Sequence, residues 1–407
     1  MREHYVGERR HGRGRWAAVG VGAVMVIGLA SCSSASADGH IGPVGGKPPL
    51  PAKKKPAATV SIKPAADASI SPTTPIVVSA AHGTLSAVTV LSPRGKHVSG
   101  TLSADKATWT TSEPLGYDST YQVSADAVGK NGKTVHQTGQ VRTLTPTAQA
   151  YPSLIPPPSV KDVGVGQPIV VRFDHAITDK AAAEKALLVT SVPAQPGSWY
   201  WMSSKEAHYR PQQYWQAGTT VTLHVGIYGV DLGDGVYGQT DRTITFHVHD
   251  SWVAKANGAT HTMQILHNGA LVKTMPISLG SPKYPSHTGA HVISVKSQKY
   301  VMDSSTYGVN KGDPGYYRET VLWDERISND GEFVHAAPWS VNQQGSTNVS
   351  HGCVNLSVAN AIWFYHHFGV GDVVEITNSG GKPLPVWDTY GDWEPTWSEW
   401  QAGSALT

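Results

Sequence analysis

The stretch 333–355 reads FVHAAPWSVNQQGSTNVSHGCVN and is the most informative part of this sequence. The apolar pair Phe333-Val334 precedes His335, and fourteen residues separate that histidine from Ser350. The block that follows contains Cys353 directly after a glycine, where the backbone can turn tightly. These features predict a strand, a returning loop and a sharp turn that bring the imidazole to the thiol.

Cys353 and His335 are the residue types that nucleophilic catalysis requires. A free cysteine is usually a small buried hydrophobic residue. A thiol with an ordinary pKa of about 8.5 is mostly protonated at neutral pH, so a nearby imidazole is needed to accept its proton. The oxyanion formed on an attacked carbonyl needs preorganised donors. We expect the backbone N–H groups of Gly352 and Cys353 to supply them.

The region around this stretch, residues 251–378, has the pattern of a β-rich domain with a minor helical part. Asn268-Gly269 between alternating segments predicts a hairpin. Ser357 is a candidate N-cap for one helix that ends near His367. The predicted strands are 263–266, 271–275, 291–302 and 372–377.

Residues upstream of this region contain an internal repeat. The segment 75–79 recurs as 168–172, and 109–123 matches the pattern of 209–223. Short strands with frequent turn signals predict two tandem immunoglobulin-like sandwiches, at 58–145 and 146–250, which we interpret as spacers. Their isolated histidines are interpreted as structural: His175, His208 and His224.

The N-terminal segment 1–31 has a basic start and an apolar run typical of a signal peptide. It ends in Leu29-Ala30-Ser31-Cys32, which resembles a bacterial lipobox, so Cys32 is the predicted lipid attachment site. An ordinary signal peptide or an uncleaved anchor is the alternative. Each interpretation places the remainder outside the cytoplasm, and the lipoprotein interpretation anchors it to the outer face of the cytoplasmic membrane. Residues 32–57 form a Pro/Lys-rich linker.

The composition of the 407 residues narrows the possible functions. Two cysteines exclude a disulfide-rich scaffold and a four-cysteine zinc site. A formal net charge of +2 gives no support for nucleic-acid binding. For the oligomeric state, a monomer is the default expectation. If Cys32 carries a lipid, Cys353 is the one thiol left, which suggests that it is kept for its reactivity.

His335 and the block 350–355, at this spacing, resemble the signature of the L,D-transpeptidase (YkuD-like) catalytic domain. The lipobox-like start, the two sandwiches, the sequence MDSSTYG at 302–308 and the Trp-rich tail also resemble the mycobacterial L,D-transpeptidases. The resemblance implies a mainly β protein. Two Ig-like sandwiches would precede a YkuD-like domain at 251–378 and a Trp-rich C-terminal extension at 379–407.

The resemblance also implies an activity on peptidoglycan stem peptides. In that family the cysteine attacks the bond between the L-centre of meso-diaminopimelate and the terminal D-alanine of a tetrapeptide stem. D-alanine leaves, and the resulting thioester is resolved by the side-chain amine of a second stem, which gives a 3-3 cross-link. Carbapenems acylate the same cysteine. No metal and no cofactor are implied.

Carried over residue by residue, the resemblance assigns roles around the cysteine. Cys353 is the nucleophile and His335 its base. The third catalytic group of that family is the backbone carbonyl of the residue after the histidine, here Ala336. Some relatives have serine at this position. Because the backbone carbonyl acts and not the side chain, alanine should serve equally well. The residues expected to order the catalytic loop, with Asn355 bonding nearby backbone, are Ser350, His351 and Asn355.

A glycine-rich loop at 307–317 would form a lid over the donor stem, with an ordinary surface loop as the alternative. Tyr317 would lie near the acyl site, and Tyr307 is a second candidate for substrate binding. Met302 and Trp339 are predicted pocket walls, although large apolar residues like these can equally belong to a core. One departure is Ser286-His287-Thr288-Gly289, where relatives have Thr-Pro-x-Gly; we expect it to alter a turn without touching the nucleophile.

Three further interpretations concern the tail and the function. The tail tryptophans are expected to pack against a neighbouring domain, with sugar stacking as the alternative: Trp387, Trp393, Trp397 and Trp400. A zinc peptidase using His335, His351 and Cys353 is a rival function, although no HExxH-like pattern occurs. A non-catalytic wall-binding lipoprotein is the other.

Overall fold

The computed structural model describes residues 54–65 and 68–407. The predicted signal peptide at 1–31, Cys32 and linker residues 32–53 therefore lie outside the described residues. No helix in the described part of the chain is long and apolar enough to cross a membrane. Strands dominate, with a few short helices, which confirms the predicted mainly β fold.

The first sandwich consists of two facing four-stranded sheets with the strand orders β1-β3-β6-β5 and β2-β8-β7-β4. Burial alternates along β7, where Tyr121, Val123 and Ala125 point into the core between the sheets. The strands described here are β1 (Thr59–Lys63), β2 (Ser69–Ile70), β3 (Val77–Ala81), β4 (Gly83–Leu91), β5 (Gly100–Leu102), β6 (Thr108–Thr111), β7 (Thr120–Gly129) and β8 (Thr134–Thr143).

The second sandwich has the elements β9 (Ala148–Ala150), β10 (Pro152–Ile155), β11 (Asp162–Val163), β12 (Ile169–Phe173), α1 (Lys180–Lys185), β13 (Leu187–Val192), β14 (Gly197–Trp201), β15 (Glu206–Pro211), β16 (Thr220–Val225), β17 (Val236–Gly238) and β18 (Arg242–Val248). Its main sheets have the orders β10-β12-β15-β14 and β11-β18-β16-β13, which repeat those of the first sandwich. Leu115 and Trp215, paired in the sequence repeat, are both buried. The repeat therefore reflects two copies of one topology.

The C-terminal domain has the elements β19 (Trp252–Asn257), β20 (Thr262–His267), β21 (Ala270–Pro276), β22 (Gly289–Val292), β23 (Val295–Asp303), β24 (Arg318–Arg326), β25 (Phe333–Ala336), β26 (Val354–Leu356), α2 (Val358–His367), β27 (Val373–Thr377) and α3 (Trp397–Ala402). They form the sheets β21-β20-β19-β27-β22 and β23-β24-β25-β26. An apolar core that includes Phe364 and Phe368 lies between them.

The local predictions for this domain are confirmed except for one strand. β20 and β21 pair antiparallel around Asn268 and Gly269, which both have positive φ. Ser357 caps α2 by accepting a hydrogen bond from the N–H of Asn360. The predicted strand 291–302 is wrong as one element, because the chain changes sheets at Ile293 and Ser294. The Ile293 N–H donates to Asp372 beside β27, whereas the Ser294 N–H donates to the end of β24.

The C-terminal domain packs closely on the second sandwich. The N–H groups of Gly164 and Gly166 donate to the carbonyls of Val370 and Gly371 at 2.9 and 2.8 Å. A Cβ at Gly164 would lie 2.2 Å from the nitrogen of Asp372, so only glycine permits this approach. Val373 of β27 belongs to the apolar cluster of the second sandwich. The second sandwich therefore supports the C-terminal domain structurally, which the interpretation as a spacer did not predict.

The tail packs against the second sandwich, as the packing interpretation predicts. The Arg210 guanidinium lies 4.9, 5.5 and 4.5 Å from the ring centroids of Trp393, Trp397 and Trp400. The Trp400 indole N–H also donates to the Ser198 carbonyl at 2.9 Å. Trp387 is the exception, since it is 71% exposed.

Candidate active site

The site begins with two neighbouring parallel strands. β25 and β26 pair with His335 opposite Asn355. Cys353 immediately precedes β26, at the end of the returning loop. The thiol and the imidazole thereby line the same cavity, which has a volume of about 240 Å³.

His335 is held as a neutral imidazole. Its Nδ1 is 2.9 Å from the carbonyl oxygen of Ala336. A carbonyl only accepts, so Nδ1 carries the proton and Nε2 keeps its lone pair. Burial lowers the pKa of His335 to about 4, against the opposing hydrogen bonds to Ala336 and Asn355. The imidazole is therefore unprotonated at neutral pH and able to accept a proton.

Cys353 is a buried, protonated thiol. It packs in an apolar cluster with Met302, Val321 and Phe333. Burial raises the pKa of this thiol to about 12, and nearby carboxylates add to the effect. In this conformation its Sγ donates to the Gly331 carbonyl at 3.6 Å. At such a pKa almost no thiolate is present at neutral pH. Attack by this sulfur therefore depends on proton transfer to a neighbouring base.

Ser350, which was predicted to order the catalytic loop, makes two hydrogen bonds within the segment that precedes and includes Cys353. Its Oγ donates to the Cys353 carbonyl at 2.7 Å and accepts from the Gly352 N–H at 3.1 Å. Gly352 has φ +129°, and a Cβ there would crowd Glu332. The Gly352 N–H already donates to Ser350. Of the two N–H groups predicted to form an oxyanion hole, the Cys353 N–H is therefore the remaining candidate in this conformation.

Asn355 and His351 differ in detail from expectation. The Asn355 side chain donates to the Ser340 hydroxyl at 3.0 Å, so this partner is a side chain rather than backbone. His351 is exposed and lies between the rings of Tyr284 and Tyr317, with centroid distances of 4.8 and 5.4 Å. It therefore contributes ring contacts at the cavity wall.

Three of the four predicted substrate-binding residues line the cavity. Met302 is buried against the thiol, Tyr317 stands at the end of the 307–317 loop, and Trp339 is half exposed beside His335. The side chain of Tyr307 lies outside the described residues. The complete lining is Met302, Tyr317, Glu319, His335, Trp339, Val349, Ser350, His351, Cys353 and Asn355.

Comparison with known proteins agrees with this geometry. Residues 251–376 match the L,D-transpeptidase catalytic domain (YkuD) family, and residues 67–231 match a bacterial Ig domain. The chain is 42% identical to L,D-transpeptidase 2 of Mycobacterium tuberculosis (strain CDC 1551 / Oshkosh) over 331 residues, which cover 81% of each chain. The chain belongs to the L,D-transpeptidase family. Members of this family are cysteine-dependent acyltransferases, so this L,D-transpeptidase is an enzyme.

Two other relatives extend the comparison. L,D-transpeptidase 5 of M. tuberculosis (strain ATCC 25618 / H37Rv) is 36% identical over 338 residues, covering 82% of this chain and 73% of that protein. The solved structure of the L,D-transpeptidase LdtMt1 in complex with imipenem superposes with a TM-score of 0.50 at 33% identity. It covers 57% of this chain and 100% of the other.

The departure at Ser286 lies closer to the nucleophile of this L,D-transpeptidase than expected. The buried Ser286 hydroxyl donates to the Gly352 carbonyl at 2.6 Å, so the segment does contact the residue before Cys353. His287 donates its backbone N–H to Glu332 at 2.7 Å. The expectation was that this segment does not touch the nucleophile, and the contact that the structure shows is with Gly352, because the catalytic loop folds back against the turn.

Sequence reasoning also missed a charged network behind the catalytic loop. The carboxylate of Glu332 lies 3.2 Å from Nδ1 of His287 and 3.1 Å from Nε2 of His291. Burial opposes ionisation of Glu332, but these histidine contacts outweigh it and lower its pKa to about 2. The sequence separations are 41 and 45 residues, so no local signal could have revealed the network.

The zinc alternative fails on the arrangement of its donor atoms. Within the described residues, the metal-compatible cluster of nitrogen, sulfur and carboxylate atoms is His287, Asp330 and Glu332. His335, His351 and Cys353 do not form such a cluster in that part of the chain. The site geometry therefore suits thiol chemistry assisted by an imidazole.

Proposed function

We propose that this L,D-transpeptidase forms 3-3 cross-links between peptidoglycan stem peptides through a thioester on Cys353. The observation that carries the proposal is the neutral His335 imidazole, fixed by Ala336 and facing the cavity that contains the thiol. Enzyme family membership favours this function over a non-catalytic wall-binding lipoprotein.

Acylation begins when the Cys353 thiol proton moves to Nε2 of His335 and the sulfur attacks the carbonyl carbon of the L-centre of diaminopimelate. A C–S bond forms while the C–N bond to D-alanine breaks. The departing amine takes the proton from the imidazolium. The Cys353 N–H is the candidate donor to the transient oxyanion.

Deacylation reverses these roles. The side-chain amine of a second stem attacks the thioester carbon, the new C–N bond forms and the C–S bond breaks. His335 accepts a proton from the attacking nitrogen and returns it to the sulfur. The product joins the third residues of two stems and regenerates the free thiol.

Intact-mass measurement after incubation with imipenem tests the nucleophile. We expect one covalent adduct on the wild type, its complete loss in Cys353→Ala and no effect of a chelator. In parallel, D-alanine release from a tetrapeptide stem should require Cys353. A folded wild type that forms no adduct and releases no D-alanine would refute the proposal.

The location of the enzyme is a separate proposal that rests on the sequence at 1–32. Cys32 would carry the lipid, and the catalytic domain would act outside the cytoplasmic membrane as a monomer. Detergent-phase partitioning of the full chain expressed in bacteria, compared with Cys32→Ala, tests the anchor. Equal partitioning of both proteins would argue for an ordinary signal peptide or an uncleaved anchor.

A further inference from the structure

One cavity residue has no role in the mechanism above. Glu319 lies on β24 two residues before Val321, which shares its face of the strand because side chains alternate, and two residues after Tyr317, which precedes the strand. In the register of β23 and β24 it lies opposite Met302. Val321 and Met302 pack with the Cys353 thiol. Glu319 therefore stands at the wall of the cavity beside the nucleophile.

Glu319 is the one carboxylate among the lining residues of this cavity. Its side chain makes no ion pair and no hydrogen bond within the described residues. The adjacent Arg318 instead pairs with Asp303 at 3.4 Å. Asp324 and Glu332 also lie near the thiol, but both are buried, whereas Glu319 is exposed. A charged acceptor with no internal partner is thus available to a molecule in the cavity.

The substrates of the proposed reaction bring the complementary group. Each diaminopimelate side chain in a stem peptide ends in a carbon that carries a carboxyl group and a primary amine, and this amine is protonated at neutral pH. A carboxylate that accepts hydrogen bonds from an ammonium group forms a charge-assisted contact, stronger than a neutral one. The remaining wall, of Met302, Tyr317, Trp339 and Val349, offers no competing negative charge.

We propose that Glu319 is a positioning residue that binds the side-chain ammonium group of a diamino-acid stem in this cavity. The inference rests on the proposed function. The ammonium group can belong to the donor stem, where it does not react, or to the acceptor stem before it loses its proton and attacks. Both sources have the same chemistry, and the kinetic constants of the two substrates distinguish them.

The donor arm compares wild type with Glu319→Gln on two tetrapeptide donors, one with a free side-chain amine and one with that amine acetylated. If Glu319 binds the donor, the variant loses about tenfold in kcat/KM for D-alanine release from the free amine, mainly through KM. Acetylation should cost the wild type a similar factor and the variant almost nothing.

The acceptor arm uses the acetylated donor, which cannot serve as acceptor, and varies a tripeptide stem with a free amine. If Glu319 binds the acceptor, the KM of the enzyme for the tripeptide rises about tenfold in Glu319→Gln. The conservative variant Glu319→Asp should recover part of this loss. A loss in either arm supports the proposal and names the source. The proposal would be overturned if the KM values of Glu319→Gln for the donor and for the acceptor were both within twofold of wild type. It would also be overturned if the variant lost the same factor in kcat/KM on the free and the acetylated donor while the KM for the acceptor stayed unchanged.

Two controls separate this inference from the rest. Asp234→Asn removes one exposed carboxylate in the second sandwich, at a residue with φ +53° that asparagine tolerates, and should leave both arms unchanged. Iodoacetamide carries no charge, so a contact with an ammonium group plays no part in its reaction. The rate at which it alkylates Cys353 should therefore be the same in Glu319→Gln as in wild type. A wild type that releases no D-alanine would defeat the proposed function, whereas an active wild type with an indifferent Glu319→Gln defeats only this inference.

Discussion

Two buried histidines of this molecule have opposite charge states. His335 is 4% exposed and has a neutral carbonyl as its Nδ1 partner, and burial lowers its pKa to about 4. His208 is 3% exposed and lies 2.7 Å from both Glu206 and Asp392. Burial would lower the pKa of His208 too, but the two carboxylates outweigh it and raise it to about 9. The partner, and not burial, decides which histidine is charged.

The difference follows the task of each residue. A general base must be unprotonated, and the group that holds the His335 imidazole, the Ala336 carbonyl, is neutral. The junction between the second sandwich and the tail instead uses His208 as a cation that binds Asp392 of the tail. The same residue type is thus neutral in the cavity and charged at the junction between the second sandwich and the tail.

The largest expected effect is the loss of reaction rate when His335 is replaced. His335→Ala should lower the imipenem acylation rate and D-alanine release by about a thousandfold, because the thiol loses its proton acceptor. Stopped-flow acylation and a D-alanine assay measure the loss. His224→Ala, at an exposed histidine of the second sandwich, is the matched control. Near-normal turnover of folded His335→Ala would remove this residue from the role of base.

On the packing side, Asp392→Asn should lower the melting temperature of the full chain by about 5 °C, because the buried His208 cation and the neighbouring Arg210 lose their carboxylate. Differential scanning calorimetry measures the change. Asp250→Asn disrupts an exposed pair with His267 and should shift the midpoint far less. Equal shifts in the two variants would contradict a special contribution from the buried pair.

The pH dependence of stability gives a smaller effect with a defined sign. The folded-state pKa of His208 is raised from 6.5 to about 9. Its contribution is therefore complete below about pH 6.5 and is lost as the pH rises towards 9. Denaturant titrations of wild type should show this decline, and Asp392→Asn should reduce it. Stability that is equally flat over this range in both proteins would count against a charged His208.

The smallest expected effect concerns Ala336, where some relatives have serine. Ala336→Ser should change imipenem acylation by less than about twofold, because the carbonyl that accepts from His335 is retained. The same stopped-flow assay measures this change, with wild type in parallel. A tenfold change would mean that the side chain at this position acts in catalysis.

Much of the fold was predictable because its signals are local. The Asn268-Gly269 turn, the Ser357 cap and the repeated strand pattern each depend on neighbouring residues. The strand at 291–302 was mispredicted because apolar and polar residues continue across a change of sheet. A period of two residues specifies faces, but it does not specify which sheet a strand joins.

For the site, the sequence by itself indicated the family and predicted Cys353 as nucleophile and His335 as base, because a cysteine after glycine at a fixed distance from a histidine is a local pattern. Only the tertiary structure decided the charge states and the surroundings. Glu332 meets His287 and His291, and Glu319 reaches the cavity, through contacts that join distant segments. Burial and partner charge set pKa values, and both exist only after the sheets and the tail have packed.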